Sequence, residues 1–360
     1  MQRMNFLKNK MLSIQYMRGI AALLVVCFHY RSMLNHQYTQ QDIGNIFRYG
    51  NFGVDLFFMI SGYIISLSTK NSKSKKDFVI KRFFRIFPVY WFLLIILFLV
   101  LPNVKFDFHF LKSLFLIQKD YLQRPPFFGY SLLSVAWTLS FEMVFYSFFV
   151  MSMYISHKYR SLVCSIIILL IVCVLQYLYN GGVSYSGYSS AETDISIFRL
   201  LSCPVLFEFI FGMFVFEFSE INFSIYENKC FKYILNILLT FSFMYVLACY
   251  WSGYNFGHGF QGFGSFVSVF FFLFVLYEKI NGVRELKTLK KLGDWSYSIY
   301  LTHMSLLMMF PILAHYLKFF AVLHGANKFI LLIMITLLIS KIIYDCIEQK
   351  FMSFSRWILK

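Results

Sequence analysis

The sequence predicts an all-α, polytopic integral membrane bundle of about ten transmembrane helices with both termini in the cytoplasm. Three observations carry this expectation. Hydrophobic residues make up 59% of the 360-residue chain and charged residues 14%, against about 45–50% and about 25% in ordinary soluble domains, and the mean hydropathy is +0.64. The apolar residues gather into stretches of bilayer-spanning length, about 20 residues each. Lys and Arg are unevenly placed between alternate connections. With the N-terminus inside, the inner segments hold 22 of them and the outer loops 8, while Arg18, Arg199 and Lys341 lie within spans. That is the bias of the positive-inside rule, and an even number of spans then puts both termini in the cytoplasm.

In order, the spans read 14–34, 52–69, 86–102, 132–155, 161–179, 197–217, 231–250, 258–277, 296–317 and 328–347. The first carries Arg18 and His29, and the second runs inward to the basic loop Lys70 to Arg85. Between the third and fourth lies a long outer loop, where Phe108 to Gln118 is apolar but too short to cross and is expected to be interfacial or re-entrant. The fourth contains AWTLSFEMVFY, the sixth Arg199 and Glu208, and the ninth SYSIYLTH. Short connections leave no room for a sizeable soluble domain, so any chemistry has to be built from helices and their loops.

The net charge of +16 could point to nucleic acid, but its distribution is topogenic, and no nucleic-acid partner is expected. The N-terminus shows no small-residue cleavage site, so the first span is expected to be retained. All seven cysteines fall in or beside spans, with no CxxC pair and no His/Cys spacing suited to zinc, so free thiols and no metal are expected. No internal repeat is evident, which weighs against an inverted-repeat transporter.

Ionisable groups in hydrocarbon are expensive and are functional candidates. Arg18 and His29 are eleven residues apart, about 1100° of helix, so they share one face about 16 Å apart. Asp55, near the outer end of the second span, is expected to lie close to His29 and orient its imidazole. Glu142 falls near mid-membrane. Each has a packing alternative: a lone His is often a hydrogen-bonded core residue, Thr138 one turn earlier can satisfy Glu142, and Asp55 near an interface is inexpensive.

In KRFFRIFPVYW, Arg82 and Arg85 are three apart, on one face of a helix at an inner opening. Guanidinium groups held so suit bidentate phosphate binding, although arginines also flank helices as snorkelling residues. Lys341 and Glu348, seven apart, are expected to share a face and pair. Tyr300 and His303 fall about a turn apart. The sequence gives Arg199 and Glu208 no specific role.

These residues resemble a family, the membrane-bound acyltransferase-3 family of O-antigen and exopolysaccharide O-acetyltransferases. The pieces run over nearly the whole chain in order: SIQYMRGIAALLVVCFH with its Arg-x10-His spacing, FGVDLFFMISGYII, KRFFRIFPVYW, AWTLSFEMVFY, LGDWSYSIYLTH and YDCIEQKF. The resemblance implies an acyltransferase-3-like transmembrane domain over 1–350 with a short cytoplasmic tail at 351–360, in the stand-alone form. It implies transfer of an acyl group, commonly acetyl from cytoplasmic acetyl-CoA, to a hydroxyl of an extracytoplasmic or lipid-linked glycan. The setting it implies is the bacterial cytoplasmic membrane, with membrane lipids as surroundings. By position, His29 is similar to the catalytic histidine and Arg18 to its partner in the donor path. Arg82 and Arg85 match the pair that grips the phosphates of coenzyme A, with Tyr300 and His303 also on the donor-binding side. Glu142 and Asp55 join the catalytic set, and Glu348 matches the acid of the terminal motif, where Lys350 stands in place of the usual proline.

The chemistry of His29 stays open between deprotonating the acceptor hydroxyl and carrying the acyl group itself. Two other classes fit buried Arg, Glu and His: a transporter of a glycan precursor or organic anion, and a catalytically silent partner of a glycan assembly complex.

Overall fold

The computed structural model describes residues 11–35, 42–72, 74–222 and 224–359. Arg3, Lys8, Lys10, Lys73 and Lys360, which count toward the inner charge, lie outside the described residues. Ten stretches are long and apolar enough to cross a membrane, one for each predicted span, and no strand occurs among the described residues. In chain order the helices are α1 (Leu12–Tyr30), α2 (Gly53–Thr69), α3 (Lys75–Val100), α4 (Phe108–Leu114), α5 (Trp137–Ile155), α6 (Arg160–Asn180), α7 (Ser196–Leu201) and α8 (Leu206–Glu220). They continue with α9 (Lys229–Ser252), α10 (Phe263–Asn281), α11 (Lys287–Tyr316), α12 (Lys318–Val322), α13 (Gly325–Ile343) and α14 (Gln349–Ile358). The start of α1, the loop from α2 to α3 and the whole of α14 lie at one end of the bundle, called here the basic end.

The differences from the predicted bounds have local causes. The third span starts early because Ser74 caps α3, its hydroxyl accepting from the Asp77 amide at 3.1 Å, so Arg82 and Arg85 sit on the helix itself. The sixth is split at Cys203–Pro204, where proline cannot continue α7. The eighth begins only at Phe263, because Gly257 and Gly259 adopt φ of +114° and +88° and hold residues 257–262 in a turn. The tenth ends in a π-turn over Tyr344–Glu348 that passes into α14. Residues 351–358, set apart as a tail by the sequence, therefore belong to a helix that packs on α3. The apolar Phe108 to Gln118 segment forms α4 through Leu114, its first turn capped by Asp107 accepting from the Phe110 amide at 2.8 Å.

Helix contact is most extensive between α1 and α11 and between α2 and α8. Both crossings are built on glycine. A Cβ on Gly212 would stand 1.9 Å from the Met59 carbonyl oxygen, and one on Gly293 would stand 2.1 Å from that of Gln15. Small residues are what allow transmembrane backbones to approach this closely. Between the crossings lies an aromatic core in which Phe145 stacks on Phe209 at 4.4 Å and Phe209 meets Phe58 at 5.0 Å. The start of α1 is pinned to the end of α10, since both Glu278 carboxylate oxygens accept from the Leu12 and Ser13 amides at 2.7 Å.

Gly212→Ala is expected to destabilise the protein by about 1–3 kcal/mol, because the added methyl meets backbone rather than a movable side chain. Gly182→Ala, with nothing within 4 Å of its Cβ, should change little. Thermal unfolding in detergent checks both.

Candidate functional site

A cavity of about 740 Å³ opens at the basic end. Lys81, Arg82 and Arg85 reach it from α3, Arg18 from α1, Ser61 from α2, Glu142 and Tyr146 from α5, Tyr297 and Tyr300 from α11, and Arg356 from α14. Helical spacing explains the α1 wall: Met11, Ile14, Gln15 and Arg18 recur at one face and all line the cavity. Val54, Phe57, Phe58, Thr138 and Tyr300 line it as well.

The two arginines of α3 are not equivalent. Arg85 donates through Nη1 to Glu348 at 2.5 Å and lies 5.6 Å over the Tyr297 ring, and the second oxygen of Glu348 accepts from Ser298 at 2.6 Å. Among the described residues Arg82 donates only to the Ser68 hydroxyl, at 2.8 Å, between the rings of Phe78 and Tyr146. Its Nε is buried with no acceptor. The expected Lys341–Glu348 pair does not form. The π-turn over Tyr344–Glu348 changes the angular advance that seven residues make in a regular helix. Glu348 therefore faces Arg85, whereas Lys341 is exposed.

Glu142 accepts from Ser61 at 2.8 Å and from the Tyr146 hydroxyl. Thr138, expected as its partner, instead bonds the Val135 carbonyl at 3.1 Å and Tyr300 at 3.2 Å, because its side chain turns back along α5.

His29 and His303 form a pair. His303 Nε2 lies 3.2 Å from His29 Nδ1, and His29 Nδ1 also lies 2.9 Å from the Val25 carbonyl. His303 Nδ1 lies 3.2 Å from the Ile299 carbonyl. A carbonyl needs a donor, so each ring carries its proton on Nδ1, and His303 Nε2 accepts from His29. His29 Nε2 is thereby left as a lone pair with no hydrogen-bond partner among the described residues. Neither histidine lines the cavity. Tyr300 stands between, its ring 5.8 Å from His303 and 5.7 Å from Phe57. The structure thus moves His303 from the donor side expected of it to the side of His29.

Asp55 does not orient His29. Its oxygens accept from His258 Nδ1 at 2.8 Å and from the Gly259 amide at 2.9 Å, because the glycine turn before α10 folds over the start of α2. Glu208, fully buried, faces Asp55 and the Gly259 amide, and among the described residues no donor meets either of its oxygens in good hydrogen-bond geometry. Arg199 is separated from it by the Pro204 break and donates to the Gln123 carbonyl at 3.3 Å. Sequence reasoning missed His258; the available signal was the run GYNFGHGFQGFG, in which glycines on either side free a histidine from helix. Among the described residues no three His, Cys, Asp or Glu side chains converge as metal ligands, and all seven cysteines are free.

Fold and site together define a multi-pass membrane protein with a basic cavity at one end of its bundle and a buried histidine pair beyond it. The chain belongs to the acyltransferase-3 family, whose acyltransferase-domain model matches residues 11–345, and it is an acyltransferase. It is similar to the exopolysaccharide production protein ExoZ of Rhizobium meliloti (strain 1021), 30% identical over 284 residues that cover 75% of this chain and 80% of that protein. No solved structure matches the chain.

If His303 holds the tautomer of His29, His303→Ala should lower the transfer rate by about 10²–10⁴-fold and leave donor affinity unchanged. His303→Gln, whose amide oxygen can accept from Nδ1, should recover part of the rate. Titrating the purified variants with donor and following single-turnover transfer separates this from a donor-binding role, which would appear in affinity.

Proposed function

We propose that the protein is a membrane O-acetyltransferase that takes the acetyl group of acetyl-CoA at the basic end, in the cytoplasm, and delivers it to a glycan hydroxyl at the far end, outside the bacterial cytoplasmic membrane. One observation carries the reading: Tyr300, which lines the anion-suited cavity, packs against His303, whose Nε2 lies 3.2 Å from His29 Nδ1. The excess of Lys and Arg on segments at the basic end supports the orientation. The name of the Rhizobium relative supports an exopolysaccharide-type acceptor.

The donor fits the cavity chemically. Arg82, with an unsatisfied Nε, and the neighbouring Lys81 and Arg356 offer charge-assisted donors to phosphate. Arg85 is held by Glu348, so Arg82 supplies the open guanidinium and Arg85 shapes the wall beside it. With the nucleotide held there, the thioester arm extends past Arg18 toward Tyr300.

His29 Nε2 accepts the proton of the acceptor hydroxyl as its oxygen bonds to the acetyl carbon. The carbon–sulfur bond breaks, and the proton passes from the imidazolium to the departing thiolate, so no net charge remains. The same lone pair can first take the acetyl group and pass it on, with one further bond exchange. A burst of free coenzyme A before any acceptor is added distinguishes the two.

The test is transfer from labelled acetyl-CoA to surface glycan by protein in lipid nanodiscs. His29→Ala and His29→Gln should insert, bind the donor and transfer nothing, a loss of at least about 10²-fold. Arg82→Ala should weaken donor binding by about 1.5–3 kcal/mol, with Arg82→Lys intermediate. Glycan acetylation by well-expressed His29→Ala protein would overturn the mechanism, and solute flux without thioester cleavage would replace the enzyme by a transporter. A cysteine placed at position 75 should resist labelling from outside intact cells, whereas one in the 102–131 loop should react; labelling at 75 would reverse the orientation.

A further inference from the structure

The far end holds a second assembled group of side chains that the donor cavity does not use. Asp55 fixes His258 through Nδ1, and the other ring nitrogen, Nε2, has no hydrogen bond among the described residues. His258 is 3% exposed, so the imidazole keeps a narrow opening to the surface. Aromatic rings surround that imidazole: Trp137 at 5.3 Å, Tyr188 at 5.9 Å and Phe127 at 6.0 Å.

The rim is aromatic as well. Phe127 stacks on Tyr130 at 5.2 Å and 26°, Tyr130 is 39% exposed, and the Arg124 guanidinium lies 4.5 Å over the Tyr188 ring. Phe128 and Tyr130 hold φ of +49° and +57°, a region that bulky side chains rarely adopt and that concentrates at ligand sites. Bonds from the Asp120 amide to the Phe128 carbonyl at 3.1 Å and from the Lys119 amide to the Tyr130 carbonyl at 3.0 Å keep that conformation. The location matters too. Phe127 meets the Trp137 ring at 5.2 Å, the neighbouring Thr138 bonds Tyr300 at 3.2 Å, and the Tyr300 ring lies 5.8 Å from His303, so this patch approaches the histidine pair from the far end.

Resting on the acyltransferase reading above, we propose that this patch is the acceptor subsite, where one sugar ring of the glycan stacks against Phe127, Tyr130 and Tyr188 and gives a hydroxyl hydrogen bond to His258 Nε2. Aromatic faces suit the C–H faces of a pyranose, and a fixed acceptor nitrogen among them reads one hydroxyl. An aromatic box also suits a quaternary ammonium ion, but Arg124 at the rim repels a cation and favours a ring that bears or adjoins a carboxylate. His258 is a binding residue here; the proton is taken at His29.

Saturation-transfer NMR on the full chain in nanodiscs tests the subsite with three probes: a β-1,4-linked glucose hexamer, a glucuronate hexamer and choline. Both sugars should bind, glucuronate more tightly. Tyr188→Ala and Phe127→Ala should each weaken them about tenfold. Arg124→Ala should abolish the preference for glucuronate, and His258→Gln should weaken both sugars while sparing the stack. Acetyl-CoA affinity, measured in parallel, confirms that each variant is folded. Sugar binding unchanged in the Phe127→Ala/Tyr188→Ala double variant, binding of choline in place of sugar, or no sugar binding by the unmodified protein would overturn the proposal. Transfer kinetics separate the two readings. Sugar bound at the patch without any acetyl-CoA cleavage would remove the enzymatic reading and keep the subsite; glycan acetylation by Tyr188→Ala at the unmodified KM would remove the subsite and keep the enzyme.

Discussion

A charge buried between membrane helices must find a partner, because neither lipid nor apolar packing can solvate it. Most of this bundle's polar contacts between helices follow from that constraint. Glu348 receives Arg85 of α3 and Ser298 of α11, so one carboxylate ties the end of the chain to two other helices. Asp55 receives His258 and Gly259 and closes the turn before α10 over α2. Arg160 bonds Thr69 Oγ1 at 2.8 Å and the Ser66 carbonyl at 2.9 Å, which joins α6 to α2. Breaking any of these strands a buried polar group, which costs more than the bond itself contributes.

Against that frame of satisfied groups, the unsatisfied ones stand out. Arg82 Nε, His29 Nε2 and His258 Nε2 lack partners among the described residues, as do buried atoms elsewhere in the bundle such as Gln15 Oε1, Gln118 Oε1 and Ser340 Oγ. Arg82 is in the basic cavity, His29 lies beyond its aromatic end, and His258 and Glu208 cluster with Asp55 toward the far end.

The spans were legible because composition and length decide them: every predicted crossing coincides with a helix. The shared face of Arg18 and His29 was legible for the same reason, since helical periodicity needs no tertiary information. Pairings across helices were not. Asp55 and His29 fall at similar depths, so depth alone suggested a contact. A glycine turn more than 200 residues away supplied the real partner of Asp55, and an α11 histidine supplied that of His29. Lys341 and Glu348 failed for a different reason. Seven residues bring side chains together only if the helix stays α, and here a π-turn intervenes.

The separation of cavity and histidines bears on how the two compartments stay distinct. On the proposed reading, a cavity of about 740 Å³ lined by arginines and a lysine retains a large anion electrostatically, and the rings of Phe57 and Tyr300 give that anion nothing to bind further in. Tyr300 is itself held from two directions, by Thr138 at 3.2 Å and the Val135 carbonyl at 3.1 Å, so the layer is fixed and not loosely packed. On the proposed reading, only the thin acyl end of the donor reaches past these rings. The size of the transferred group is then governed by the space beside Phe57 and Tyr300 and not by the volume of the cavity. The charged body of the donor is excluded by two independent physical terms, attraction to the basic mouth and the cost of carrying phosphate through an aromatic, water-poor layer. On that reading, an acyl group crosses the membrane without a path opening for the molecule that carried it.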